Sequence, residues 1–187
     1  FSHKSGRVSV DACLPCLPGH YCDGSTPTTV TGKCAAGYYC TGRSSQKRPS
    51  YIGETPFIQR NLTCTCPLDG GTTGGECPLG HYCPEGSALP TPCNGGSYCG
   101  KTGLASVQGN CTAASYCSLG AHSSTQHECA LGHYCPAGSG PAPVPCPRGT
   151  YGDIKGLTAS AKCTKCTAGS YCATMGLKQP TGLCLPG

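Results

Sequence analysis

The chain has 187 residues, including 20 cysteines, 29 glycines and 17 prolines, with two phenylalanines, one methionine and no tryptophan. So few large apolar side chains exclude one large hydrophobic core, whereas about 11% cysteine is typical of a disulfide scaffold. The formal net charge of +5 comes from scattered basic residues and not from a dense basic face, so we expect no nucleic-acid partner.

The cysteine content also predicts where the protein resides. Disulfides persist in oxidising compartments, so we expect an extracellular protein, either secreted or at the cell surface. The sequence contains no apolar run of about 18 residues, so we expect no membrane span in this segment. No signal peptide is visible, and because an exported chain needs one, we expect a mature protein or an internal fragment.

A seven-residue motif, Cys-x-x-Gly-x-Tyr-Cys, recurs about every 18 residues and indicates a repeat architecture. Complete copies begin at Cys16, Cys34, Cys77, Cys93, Cys129 and Cys166. The copy at Cys111 has Ala114 in place of glycine, the copy at Cys146 ends in Gly152, and the copy at Cys184 is partial. The glycine permits a tight turn, and the tyrosine suits a half-buried position. The motif predicts small disulfide-rich repeats that form an elongated rod of short β-hairpins and loops, with little helix and no central core.

In chain order the cysteines fall into modules. Residues 1–15 end a module that begins upstream, and residues 166–187 begin the next one. Between them we predict four-cysteine modules at 16–40, 64–83, 93–117 and 129–163, with a cysteine-free insert at 41–63. Residues 1–37 align without a gap on residues 151–187, which predicts a higher-order repeat of 150 residues.

Cysteine spacing alone leaves the disulfide pairing open. One alternative joins first to third and second to fourth within a module, and the other joins nearest neighbours such as Cys16 and Cys22. We favour the first, because nearest neighbours would include Cys64 and Cys66, whose bridge would be strained. It predicts Cys16–Cys34, Cys22–Cys40, Cys64–Cys77, Cys66–Cys83, Cys93–Cys111, Cys99–Cys117, Cys129–Cys146 and Cys135–Cys163. For Cys13 and Cys184 we expect partners outside this sequence.

One stretch carries a resemblance to a known repeat. Cys146-Pro-Arg-Gly-Thr-Tyr, then Gly156-Leu-Thr, then Cys163-Thr-Lys-Cys166-Thr-Ala-Gly-Ser-Tyr resembles the ephrin-receptor-like cysteine-rich repeat, which is similar to tumour-necrosis-factor-receptor cysteine modules. The resemblance covers the chain except residues 41–63. It implies disulfide-laddered rods, found in long surface proteins, some of which build flagellar hairs and other extracellular fibres. Most copies here differ by a second cysteine after the tyrosine, so the family's disulfide pairing is not transferred.

Several residues could suggest a metal, redox or catalytic site, but each has a simpler structural interpretation. His20, His81 and His133 share one motif position, but other copies place tyrosine or serine there, so we expect an exposed position and no metal site. The Cys-x-x-Cys pairs 13/16 and 163/166 lie at a module boundary, so we expect structural disulfides there and not zinc or redox sites. No nucleophile, base and acid can be assembled, so we expect neither catalytic residues nor a cofactor, and no enzyme.

Two sequons, Asn61-Leu-Thr63 and Asn110-Cys-Thr112, predict N-linked glycans at Asn61 and Asn110. The sequence therefore predicts a structural segment of a long secreted, glycosylated fibre or cell-surface filament, whose partners are itself, another fibre protein or glycans. The alternative is a ligand-binding or adhesive ectodomain of a cell-surface receptor. The long repeat favours the fibre, because duplication adds length whereas a ligand site needs one copy.

The insert 41–63 is the candidate contact surface. It concentrates the apolar residues Tyr51, Ile52, Phe57 and Ile58. It also holds four basic residues against one acid, Glu54, which favours an acidic or glycan-rich neighbour at salt-sensitive strength. The alternative is a loop that folds back on its own module.

Overall fold

The structure is a computed structural model, and it describes residues 16–23, 30–42, 44–49 and 74–185. Over these residues the backbone forms sixteen two-residue strands, which pair as eight two-stranded β-hairpins. A 3₁₀ turn at Ser160–Lys162 is the one helical element in these ranges. No helix within them is long and apolar enough to cross a bilayer. The predicted class of small disulfide-rich repeats, built from short hairpins with little helix, is confirmed.

Each hairpin joins the end of one motif copy to the residues just before a later copy. The first strands carry the motif tyrosines and are β1 (His20–Tyr21), β3 (Tyr38–Tyr39), β5 (His81–Tyr82), β7 (Ser97–Tyr98), β9 (Ser115–Tyr116), β11 (His133–Tyr134), β13 (Thr150–Tyr151) and β15 (Ser170–Tyr171). The second strands are β2 (Gly32–Lys33), β4 (Gly75–Glu76), β6 (Thr91–Pro92), β8 (Gly109–Asn110), β10 (His127–Glu128), β12 (Val144–Pro145), β14 (Thr164–Lys165) and β16 (Gly182–Leu183). Each odd-numbered strand pairs with the strand that follows it.

The turn before each first strand follows from the motif. In the copy at Cys16, the N–H of His20 donates to the carbonyl of Leu17 at 3.0 Å. Gly19 occupies the third turn position with φ of +78°, as a type II turn requires, and Pro18 precedes it at the position that favours proline. The same turn hydrogen bond forms at Tyr38, His81, Ser97, Ser115, His133, Thr150 and Ser170.

Cystine takes the place of a conventional core. Fifteen of the buried apolar side chains in the described residues are cysteines, joined by Ala121, Leu157 and Pro49. The buried side chains form small local clusters. Tyr98 packs against Cys111, Cys117 and Ala121, and Tyr134 packs against a cluster of Cys146, Leu157 and Cys163. Burial is therefore distributed along the repeats, as the shortage of large apolar residues predicts.

The chain divides into two compact units. The first comprises Phe1–Thr91 and Lys101–Ser106, and the second comprises Pro92–Gly100 and Val107–Gly187. The loop 101–106, which belongs to the predicted 93–117 module, therefore lies in the first unit. Residues 1–15, the predicted end of an upstream module, are outside the described residues. The 150-residue repeat stays a prediction. The hairpins in the two aligned stretches have the same form as those of the other motif copies, so they do not distinguish a 150-residue repeat from the shorter one.

Candidate functional site: the ladder of cystine loops

Seven of the eight described disulfides close a motif copy on itself. The described bonds are Cys16–Cys22, Cys34–Cys40, Cys77–Cys83, Cys93–Cys99, Cys111–Cys117, Cys129–Cys135, Cys146–Cys163 and Cys166–Cys172. Paired Cα atoms lie 5.8 to 6.2 Å apart, a usual disulfide separation. The predicted bonds Cys16–Cys34, Cys22–Cys40, Cys64–Cys77, Cys66–Cys83, Cys93–Cys111, Cys99–Cys117, Cys129–Cys146 and Cys135–Cys163 are therefore wrong, and nearest-neighbour pairing is the rule.

The type II turn explains this correction. It reverses the chain between two cysteines that are six residues apart, so their side chains meet without help from another copy. The argument against nearest-neighbour pairing depended on Cys64 and Cys66, which lie outside the described residues and are separated by a single residue. One intervening residue is too few to form a turn. The strain expected between Cys64 and Cys66 therefore does not apply to cysteines on either side of a full motif, where the turn brings them together.

Two cysteines near the end of the chain depart from the common pattern. Gly152 stands where the copy at Cys146 would have its second cysteine, and Cys146 bonds Cys163, 17 residues on. Cys163 and Cys166 therefore belong to different disulfides, and their Cys-x-x-Cys spacing is structural. Cys184 is exposed and has no disulfide partner among the described residues, and Cys13 lies outside them, so the partners expected beyond this sequence stay a prediction.

Successive copies are joined by a recurring set of four backbone hydrogen bonds, which we call the ladder. Between the copies at Cys111 and Cys129, the N–H groups of Cys129, Ala114, Cys117 and Gly138 donate to the carbonyls of Ala114 (2.9 Å), Cys135 (2.9 Å), Ser139 (3.0 Å) and Cys111 (2.8 Å). The same four bonds, at 2.8 to 2.9 Å, join the copies at Cys34 and Cys77 and those at Cys129 and Cys146. Because the ladder uses main-chain groups, it tolerates different side chains from copy to copy.

A second glycine series, which the sequence analysis missed, completes the ladder. These loop glycines follow the last motif residue by two to four positions and have positive φ: Gly42, Gly86, Gly103, Gly120, Gly138, Gly156 and Gly176. The loop glycine carbonyl packs against a turn glycine in the pairs Gly19/Gly86, Gly37/Gly103, Gly96/Gly138 and Gly132/Gly176. A Cβ atom on any of these turn glycines would overlap that carbonyl. This series could have been predicted from the sequence, because a glycine recurs two to four positions after the motif copies.

Several hairpin loops are closed by one side chain. The residue after the second cysteine donates its N–H to a side-chain oxygen eight residues on. The four cases are Asp23 to Thr31 (3.0 Å), Gly100 to Gln108 (2.8 Å), Ser118 to Gln126 (2.8 Å) and Ala173 to Thr181 (3.1 Å). In these four loops the acceptor is a threonine or glutamine three positions before a motif copy.

The motif tyrosines are half-buried, as predicted, except for Tyr171, which is 46% exposed. In four hairpins the tyrosine pairs across the strands with a glycine: Tyr21 with Gly32, Tyr39 with Gly75, Tyr98 with Gly109 and Tyr171 with Gly182. The ring lies over that glycine, since a Cβ on Gly32 would come within 3.0 Å of the Tyr21 ring. Such a pair covers glycine backbone with aromatic area.

The three equivalent histidines have a local role. Nδ1 of His20, His81 and His133 lies 3.0 to 3.1 Å from the carbonyl oxygen two residues earlier. Because a carbonyl only accepts, Nδ1 is the donor in these contacts. Within the described ranges, no three histidine, cysteine or acidic side chains are grouped as a metal site would need.

The predicted contact and glycosylation residues lie partly outside the described chain. Tyr51, Ile52, Phe57, Ile58 and Asn61 are outside it. Asn110 is exposed in β8, where it pairs with Ser97, and its glycosylation stays a prediction.

The start of the insert, residues 44–49, packs on its own module. The carbonyls of Ser44 and Lys47 accept the N–H groups of Cys22 and Ala35 at 2.8 Å, and Pro49 is fully buried. For these residues the fold-back alternative is correct.

The ladder lets each copy offer the next one the same backbone donors and acceptors, so copies can be added without new side-chain recognition. The candidate functional feature is therefore the recurring backbone ladder and not a single cluster of side chains. Comparison of the chain with protein-family models and with curated proteins gives no match.

Proposed function

We propose that this chain is a non-enzymatic structural segment of a long, secreted and glycosylated extracellular fibre or cell-surface filament. The observation that supports the proposal is the recurrence of the same four ladder bonds in both compact units. A unit that stacks through its backbone gains length by duplication, whereas its exposed side chains remain available for contacts. In this proposal the chain needs no catalytic residue and no cofactor.

The cystine loops suit such a role outside the cell. Each loop with a sequence separation of six closes a short ring, for which the loop-entropy model gives about 2.4 kcal/mol of stabilisation. Because burial is local, each copy contributes its own clamp, and damage to one copy leaves the others closed. The partners that we propose are further copies of the chain, another fibre protein and glycans, with N-linked sugar on Asn61 and Asn110.

Immunogold electron microscopy of the source cells tests the proposal. An antibody raised against the folded, oxidised chain should label filaments outside the plasma membrane at regular intervals. Label confined to the membrane surface without filaments, or to the cell interior, would contradict a fibre. The control is the same antibody absorbed beforehand with the folded chain.

A receptor ectodomain that binds a ligand or mediates adhesion is the second candidate. One observation favours it: the first unit has an open groove, bordered by Lys33, Lys47 and Arg48. A receptor would give membrane-associated label and one copy of the chain for each anchored polypeptide. A fibre would give filament label and many copies in tandem.

A further inference from the structure

The first unit contains an open groove of about 400 Å³ between the β1–β2 hairpin, the 44–49 segment and the loop that holds Glu85. Its charged border consists of Lys33, Lys47, Arg48 and Glu85. Three cations face one carboxylate, and all four side chains are exposed. None of the three cations forms an ion pair with another described residue. The groove therefore has excess positive charge that the described chain leaves uncompensated.

The backbone that carries the two cations of the insert is fixed. The N–H of Ala35 donates to the carbonyl of Lys47 at 2.8 Å, and the neighbouring Pro49 is fully buried. Arg48 is oriented by a cation–π contact, with its guanidinium carbon 5.9 Å from the centre of the Tyr38 ring. Lys47 and Arg48 thus stand on an anchored segment.

The third cation comes from a different element. Lys33 lies in β2, and its aliphatic stem covers Gly86, where a Cβ would meet Lys33 Cδ at 3.4 Å. The stem is therefore packed, while the ammonium group remains exposed at the end of it. Cations from two separately held segments converge on the groove, which lets them contact two different anionic groups of one ligand.

An aromatic ring completes the groove. Tyr21 lines it and lies over Gly32, its partner in the β1–β2 register. A sugar ring presents apolar C–H faces that stack on aromatic rings, and its sulfate or carboxylate groups form charge-assisted hydrogen bonds with lysine and arginine. An aromatic wall beside exposed cations therefore fits an acidic saccharide better than an isolated phosphate, which has no apolar face.

We propose that this groove binds an acidic glycan, with Lys33, Lys47 and Arg48 on its sulfate or carboxylate groups and Tyr21 against a sugar ring. Glu85 repels the same groups and so limits affinity. The inference rests on the proposed function in one respect: it gives the proposed glycan partner a chemical class and a site. The binding test below uses the isolated chain, so its failure would not bear on the fibre, and the absence of fibres would not bear on the groove.

The test is calorimetric titration of the full, oxidised chain with a sulfated hexasaccharide and with its unsulfated counterpart in buffer near physiological salt. The native chain should bind the sulfated probe, and raising the salt should weaken this binding. The triple variant Lys33→Gln, Lys47→Gln, Arg48→Gln should bind at least about tenfold more weakly. Glu85→Gln should bind about threefold more tightly, since it removes a like charge.

The matched control is the triple variant Arg148→Gln, Lys162→Gln, Lys165→Gln, which removes the same charge from exposed residues of the second unit. It should change affinity less than about threefold. If the groove triple variant does not fold, as judged by its disulfide map, the single variant Lys47→Gln replaces it and should still weaken binding.

Four results would overturn the proposal. They are undetectable binding of the sulfated probe, equal binding of the unsulfated probe, equal losses in the two triple variants, and equally tight binding of an acidic peptide of the same charge. The last result would assign the groove to a protein partner.

Discussion

Gly132 lies so close to the carbonyl oxygen of Gly176 that a methyl group at position 132 would overlap it. Gly132 is the turn glycine of the copy at Cys129, and Gly176 is the loop glycine after the copy at Cys166. The turn glycine therefore has two functions: it adopts a left-handed φ of +79° and it lets another backbone approach. Gly149 has the same φ within a degree, +80°, but nothing lies within 4 Å of a Cβ built on it.

This difference predicts the effects of two alanine substitutions. Gly149→Ala should lower the free energy of unfolding by about 1 kcal/mol, the cost of left-handed φ alone. Gly132→Ala should lower it by about 3 kcal/mol, because overlap with the Gly176 carbonyl is added. Urea denaturation of the oxidised chain, followed by hydrogen exchange in the two turns, measures both. Equal losses would show that the glycine pair does not hold the copies together.

At Ala114 we expect the opposite effect on stability from substitution. Among the described residues, Ala114 is the one non-glycine residue with positive φ, at 74°. Ala114→Gly should raise the free energy of unfolding by up to about 1 kcal/mol, because the left-handed strain disappears. Ala121→Gly is the control: Ala121 is fully buried beside Cys111 and Cys117, so its loss should cost about 1 kcal/mol. A similar destabilisation by both substitutions would mean that Ala114 is unstrained.

The loop-closing side chains give a local prediction. Gln108→Ala should remove the 2.8 Å bond to the Gly100 amide and speed hydrogen exchange at Gly100 about fivefold, the equivalent of one hydrogen bond. The Ser118 amide, held by Gln126, is the internal control and should exchange at its original rate. If Gly100 exchange is unchanged, the side chain does not close the loop.

The repeat and its hairpins could be predicted from the sequence because the motif is local. Cys16, Gly19, Tyr21 and Cys22 lie within seven residues, and their types specify a turn, a half-buried ring and two anchors. These features depend on residues close together in the chain, where spacing and turn chemistry carry the information.

The pairing and the packing between copies required the structure. Cys16 is 6 residues from Cys22 and 18 from Cys34, and both partners were open until the turn was seen to bring Cys22 close. The contact of Gly19 with Gly86 joins residues far apart in sequence. The groove likewise depends on the 44–49 segment folding against Ala35, which composition does not encode.

Asn110 predicts a modified chain. It is exposed in β8 and belongs to the sequon Asn110-Cys-Thr112, so glycopeptide mapping of the chain from its source should find N-linked sugar there and on Asn61. Asn94 is exposed but lies outside a sequon, so it should be bare and serves as the control. Thr112→Ala should abolish the sugar at Asn110. A chain that is bare at both sequons would contradict the glycoprotein proposal.

The ladder requires each full motif copy to be closed on itself, and trypsin digestion of the unreduced chain tests this most directly. Lys33 separates Cys22 from Cys34, and Arg43 follows Cys40. With the bond Cys34–Cys40, residues 34–43 should appear as a free peptide whose mass is lower than that of its reduced form by two hydrogens. Recovery of residues 34–43 joined to residues 8–33 would show that the copies are cross-linked to one another and would contradict the account.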